Sequence, residues 1–259
     1  MASDGNGNIV SVVDKTAVVI GGTSGIGRGI ARGFAEDGAD VIASSRTPDR
    51  VAAVADELRD HGAETAALTC DATDAASVEA LRDEVLDTFG QIDILVYAPS
   101  YIARQGVMDV EPDEWESVFD VQLTGALRAT QCFASEMDTG SIIHIASASV
   151  FCTIPNVAAY ACAKGGLDVL IRMAARELGP AIRVNGIRPG FIQSEQTEGT
   201  YTPGTPRFDE IARRTTNGRL GTPDELVGCA ILLGSDATSY LTGEIITIDD
   251  GFIAATFVE

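Results

Sequence analysis

Lysine is nearly missing from this chain: of 18 basic residues only Lys15 and Lys164 are lysine, and the rest are arginine. Histidine is as scarce, with His61 and His144 far apart in sequence, which disfavours a histidine-rich metal site. The five cysteines (Cys70, Cys132, Cys152, Cys162, Cys229) are odd in number, scattered, and show no C-x-x-C spacing. That pattern argues against disulfides and zinc and for reduced thiols in a cytoplasmic setting. No apolar run approaches the ~20 residues a membrane span needs. There is no internal repeat and no linker. The opening stretch, Met1 to Asn8, is polar and rich in Gly and Asn, so residues 1–11 are expected to form a loose tail and not a signal peptide.

What is abundant is acid. Thirty-eight acidic against 18 basic residues give a net charge of -20. Nucleic acid is an unsuitable partner for such a field, because phosphate binding needs clustered cations. An acidic surface almost free of lysine fits a protein kept soluble in concentrated salt, where self-repulsion is screened. The plainer alternative is an ordinary acidic protein from an arginine-favouring genome.

A chain of 259 residues suits one α/β domain with a substantial core. Apolar strands are expected at residues 17–20, 40–44, 65–69, 92–96, 142–145, 182–187 and 244–249, with helical segments between them. Among those helices are one from Thr47-Pro48 to Gly62, one covering about 112–137, one opened by Tyr160, and one near 223–233. This alternation predicts a doubly wound parallel sheet with helices on both faces. Residues 193–218 turn polar and loop-like, rich in Thr, Glu and Pro, as a substrate loop or lid would be.

Tyr160-Ala161-Cys162-Ala163-Lys164 organises the rest. Four residues apart on a helix, Tyr160 and Lys164 share one face. A neighbouring ammonium favours the phenolate and is expected to pull the phenol's pKa down toward neutrality. A phenol so tuned can give a proton to a carbonyl or take one from an alcohol. Ser147 follows an apolar run and is expected at a strand's carboxyl end. A sequence that otherwise avoids lysine keeps one beside Tyr160, where a compact three-donor ammonium suits the task better than a planar guanidinium.

Upstream, Ala17 to Ile20 reads as a strand, and Gly21-Gly22-Thr23-Ser24-Gly25-Ile26-Gly27 leads into a helix. Glycines let backbone approach phosphate, and the helix's amino end offers free N–H groups. The next strand ends in Ser45-Arg46. A carboxylate there would repel a 2′-phosphate, whereas a cation accommodates it, so NADP(H) is the expected cofactor.

Read in order, these segments resemble the short-chain dehydrogenase/reductase family over about residues 12–253. Gly21-x3-Gly25-Ile26-Gly27 is similar to the family's glycine motif, and Asp71 to its adenine-contacting aspartate. Ser147, Tyr160 and Lys164 resemble the catalytic serine and Tyr-x3-Lys. Asn185-Gly186-Ile187-Arg188-Pro189-Gly190 resembles the segment bordering the nicotinamide. Gly218 to Pro223 and Tyr240 to Gly243 resemble the carboxyl-terminal signatures. The resemblance implies that Tyr160 is the acid/base, that Lys164 tunes it and holds the nicotinamide ribose, and that Ser147 polarises the substrate oxygen. It further implies Ala72, Ala98 and Ile192 as cofactor contacts and a homotetramer as the assembly.

Three departures stand out. Gln122 occupies the place of an asparagine proposed to anchor a water linking the lysine to solvent. Tyr97-Ala98-Pro99-Ser100 replaces the usual Asn-Asn-Ala-Gly that braces the sheet and faces the adenosine ribose. Ile20 stands where a threonine usually ties the glycine turn together.

The implied activity is NADP(H)-dependent interconversion of a ketone and a secondary alcohol. The polar loop, with Tyr101 and Arg104, favours a sugar, sugar acid or polyol. A 3-oxoacyl thioester is the main competitor, although so acidic a surface would repel an acidic carrier at low salt. A cofactor-binding sensor without turnover is an alternative of another class. Dehalogenase chemistry on the same fold is disfavoured by Gly21, Gly25, Gly27 and Lys164.

Overall fold

The computed structural model describes residues 9–197 and 199–255; of the expected tail, residues 1–8 lie outside them. The elements follow one another as β1 (Thr16–Ile20), α1 (Gly25–Glu36), β2 (Asp40–Ser44), α2 (Pro48–Asp60), α3 (Ala75–Phe89), β3 (Ile94–Tyr97) and α4 (Pro112–Phe119). A π-helical turn, Asp120–Thr124, joins α4 to α5 (Gly125–Ala134). Then come β4 (Gly140–Ile145), α6 (Ala158–Leu178), β5 (Ile182–Pro189), α7 (Pro206–Arg214), α8 (Val227–Gly234) and β6 (Ile245–Ile248).

The six strands form one parallel sheet in the order β2-β1-β3-β4-β5-β6. Successive side chains of a strand point to opposite faces, and both faces here are covered. Val18 and Ile20 of β1 join the core with Phe133 of α5 and Leu167 of α6. Ala17 and Val19 join Phe34 of α1, Leu58 of α2 and Leu233 of α8 on the other face. Burial on both sides explains why the strands read as near-continuous apolar runs. The chain leaves β1 toward β2 on one side and returns to β3 on the other, so a topological switch point opens beyond the carboxyl ends of β1 and β3.

Three expectations of local structure need correction. Residues 65–69 form no strand. The segment runs beside β2 with isolated bonds only (Val41 N–H to the Glu64 carbonyl at 3.1 Å, Cys70 N–H to the Ser45 carbonyl at 3.0 Å), with Ala67 and Thr69 exposed and Leu68 packed against the core. The helix expected over 112–137 is broken by the π-turn, which places fully buried Gln122 inward; such turns are frequent at functional sites. The polar 193–218 stretch is not all loop, since it contains α7. Thr205 caps α7 by accepting from the Phe208 N–H at 3.3 Å, Pro206 follows, and Ile211 is buried. Conversely, Thr47 makes no side-chain cap on α2, whereas Asp74 caps α3 through the Ala76 N–H at 3.0 Å. Among the described residues no helix is long and apolar enough to cross a membrane.

Candidate active site

The carboxyl ends of β1 to β5 open onto a cleft of about 880 Å³. Every expected cofactor residue lies on its wall: Gly21, Thr23, Ser24, Gly25, Ile26 and Gly27 from the glycine turn, then Ser45, Arg46, Asp71, Ala72 and Ala98 from the next loops. Pro189, Gly190 and Ile192 complete the far side, and Ser147, Tyr160 and Lys164 line the same cleft.

Glycine is a steric requirement at the turn. A Cβ on Gly21, whose φ is +79°, would meet the Pro99 nitrogen at 2.7 Å, and one on Gly27 would lie 2.2 Å from the Gly21 carbonyl oxygen. Gly25, at φ +50°, opens α1. Ser24 precedes it without a side-chain cap, and no acid occupies the first turn. An uncapped, acid-free amino end facing a cleft is suited to an anion such as pyrophosphate. The hydroxyl lost at Ile20 is made good elsewhere. Thr23 Oγ1 donates to Ser45 Oγ at 2.8 Å, and the Gly21 and Gly22 N–H groups share the Ser44 carbonyl at 2.8 and 3.1 Å.

Beyond β2, Arg46 is exposed on the cleft wall. Asp71 accepts from the Thr73 N–H at 3.0 Å and the Thr73 hydroxyl at 2.7 Å. Burial works to raise its pKa, but these bonds and the charges of Arg46 and Arg128 prevail and hold it below the ordinary carboxylate value.

At the other end, Ser147 lies just past β4 and caps a short turn, its hydroxyl oxygen accepting from the Ser149 N–H at 3.2 Å. With that lone pair occupied, the Ser147 proton is available to the Tyr160 oxygen, and the interaction works to lower the phenol's pKa. Lys164, 4% exposed, donates through Nζ to the Ile145 carbonyl at 2.6 Å and stands 5.7 Å from the Tyr160 ring centroid. The side chains therefore converge, as their spacing requires.

The electrostatics differ from the expectation. Burial raises the Tyr160 phenol to about 12, against the lowering by the Ser147 bond, and the lysine is not among the causes. The side chain keeps a solvent-facing part on the cleft, which limits that penalty. Burial also lowers the Lys164 ammonium to about 7, Asp168 opposing the fall. A lysine that loses its own proton near neutrality cannot depress a neighbouring phenol as a full charge would. Tyr160 is accordingly a protonated acid throughout the neutral range.

Gln122 sits behind the cleft wall. Its Nε2 donates to Ser100 Oγ at 3.1 Å and to the Tyr101 carbonyl at 3.0 Å, and its buried Oε1 has no partner among the described residues. Tyr97 ends β3 and donates to the Val121 carbonyl at 2.7 Å, bracing the sheet against the π-turn. A Cβ on Gly125 would lie 2.3 Å from that hydroxyl, so the glycine makes room for the tyrosine.

Sequence reasoning passed over several residues. Arg50 pairs with Glu195 at 3.8 Å on the cleft wall. Arg207 of α7 also lines the cleft, its guanidinium 5.3 Å from the Tyr201 ring centroid. Arg104, named from the sequence, donates to Thr200 Oγ1 at 3.1 Å and so touches the expected substrate loop. Thr205-Pro206, the same Thr-Pro pair that opens α2 at Thr47-Pro48, was the available signal for α7 and its arginine.

A family model described as enoyl-(acyl carrier protein) reductase matches residues 21–253. Curated relatives include a 2-dehydro-3-deoxy-D-gluconate 5-dehydrogenase of Pseudoalteromonas atlantica, 34% identical and covering 94% of this chain and 97% of its own. A 3-oxoacyl-(acyl-carrier-protein) reductase of Thermotoga maritima is 30% identical, covering 92% and 98%. Among solved structures, a gluconate 5-dehydrogenase of Burkholderia cenocepacia in complex with NADP and tartrate is 31% identical with a TM-score of 0.90, covering 96% and 98%. With its glycine turn, parallel sheet and converging Ser147, Tyr160 and Lys164, the chain belongs to the short-chain dehydrogenase/reductase family.

Proposed function

We propose that this protein is an NADP(H)-dependent oxidoreductase that interconverts a ketone and a secondary alcohol, with a sugar acid as the favoured substrate class. The carrying observation is the convergence of Ser147, Tyr160 and Lys164 in one cleft with an uncapped helix amino end. NADP(H), when bound, supplies or accepts the hydride. Ser147 holds the substrate oxygen by a hydrogen bond, and Tyr160 hands it a proton in reduction or removes one in oxidation. Lys164 holds the ribose hydroxyls. Arg46 receives the 2′-phosphate.

Arg104 and Arg207 support the sugar-acid reading, because they bring two cations to the cleft beside polar Thr200 and Tyr201. The second reading, a 3-oxoacyl thioester, draws on the matched family model and the Thermotoga relative. The exposed apolar side chains of Leu127 on α5 and Val169 and Met173 on α6 support association into a homotetramer. Five free cysteines suit a cytoplasmic location, and the charge of -20 suits a salt-rich one.

A panel of sugar acids, polyols and 3-oxoacyl thioesters, read by NADPH oxidation in dilute buffer and in molar salt, tests these statements together. Sugar acids are expected to turn over fastest, with activity rising with salt; a preference for thioesters would replace the first reading by the second. In the same assay, Arg46→Asp should raise the KM for NADPH by roughly 10–100-fold, as loss of a charged hydrogen bond implies. It should improve NADH. Equal effects on both cofactors would remove Arg46 from the phosphate site.

A further inference from the structure

The buried stripe of α6 contains two charged residues, Lys164 and Asp168, which are 4% and 5% exposed. A spacing of four puts Asp168 one turn beyond Lys164 on the same face, as Lys164 is one turn beyond Tyr160. A buried charge without a counter-charge is costly. The Ile145 carbonyl that accepts from Lys164 is neutral and supplies none.

Asp168 is held at one point. Its Oδ2 accepts from Arg188 Nη2 at 2.5 Å, while Oδ1 is buried without a hydrogen-bond partner among the described residues. Arg188, on β5 just before the cleft residue Pro189, is fixed in turn. Its Nη1 donates to Thr247 Oγ1 at 3.2 Å, and its guanidinium stacks 4.5 Å from the Phe151 ring centroid. Arg188 Nε, also buried, has no partner either. A bidentate pair would satisfy both orphaned atoms; the one-point contact leaves Oδ1 outside the ion pair.

We propose that Asp168, held by Arg188, is the counter-ion of Lys164, a positioning residue that opposes the loss of the lysine's charge on burial. The ionisable groups around Lys164 leave no other candidate among the described residues. Tyr160 on α6 is a neutral phenol, and His144 on β4 is held neutral by burial, its pKa pushed down to about 3. Asp120 of the π-turn is paired with Arg128 at 3.2 Å, and Arg188 is itself a cation. Burial alone drives the ammonium toward its neutral form, and the charge of Asp168 opposes that. The assignment rests on the proposed catalytic reading only for its consequence in turnover.

With just two lysines in the chain, the ionisation of Lys164 can be followed directly by NMR of lysine-labelled protein, a Lys15→Arg variant identifying its signal. In the Asp168→Asn variant the Lys164 midpoint is expected to fall by about one pH unit or more, and in Asp168→Glu to return most of the way. Asp168→Asn leaves Arg188 buried without its acid. The double variant Asp168→Asn with Arg188→Gln leaves neither charge alone, and a smaller fall is expected there. A Lys164 midpoint unchanged in whichever of these variants folds would overturn the assignment. The reading needs neither substrate nor turnover. If Lys164 responds as expected but no carbonyl is reduced, the proposed function fails and the counter-ion stands.

Discussion

Replacing Tyr160 by phenylalanine should lower turnover by roughly 10²–10⁴-fold, about 3–5 kcal/mol of barrier, while NADPH binding changes little. The ring stays in place beside Lys164 and only the proton carrier is removed. The pH dependence should differ with direction. The phenol is raised to about 12, so its acid form is present at all lower pH, and carbonyl reduction should be flat across the neutral range. Alcohol oxidation needs the base form, which becomes more populated as pH rises, so oxidation should climb with pH. A Tyr160→Phe enzyme retaining most of its rate would remove the phenol from the reaction. Oxidation that levelled off below neutrality would show a phenol lowered, not raised.

The second large effect is steric. In Gly27→Ala the new Cβ would stand 2.2 Å from the Gly21 carbonyl oxygen and 3.2 Å from the Ala98 Cβ. Backbone cannot yield without moving the turn that faces the cleft. We expect a loss of about 1–3 kcal/mol of stability, the usual cost of overpacking, and at least a roughly tenfold weaker NADPH complex. Gly228→Ala is the control: nothing lies within 4 Å of its Cβ position on α8, and alanine there should be neutral or stabilising by up to ~1 kcal/mol. Thermal melts and NADPH titrations of the two variants decide it. Similar behaviour would mean that the turn is not the crowded element it is taken to be.

The contrast between these glycines shows what was legible in the sequence. Gly21, Gly25 and Gly27 follow a strand and open a helix, and that order points to a phosphate cradle before any coordinate does. Tyr160 and Lys164 are legible for the same kind of reason, since a helical period fixes their common face. Burial is the part a sequence does not carry. Lys164 looks like a charge that would acidify Tyr160, yet its 4% exposure turns it into a group that needs a counter-ion of its own. Asp168 was in plain view four residues on, but nothing in the sequence says that it is buried against Arg188 of β5, 20 residues away. Residues 65–69 were expected as a strand, whereas the structure gives them a half-buried edge with isolated bonds to β2. Tyr97 and Gly125 lie far apart in sequence, although one vacates the space the other fills.

The most direct test is transfer of deuterium from NADPH labelled at the nicotinamide hydride position, with sugar ketoacids as acceptors. The account predicts that the label appears on the carbon of the newly formed alcohol, and that Tyr160→Phe binds the same cofactor without transferring it. Tight NADPH binding with no label delivered to any acceptor would contradict it and leave a cofactor-binding sensor on a dehydrogenase fold.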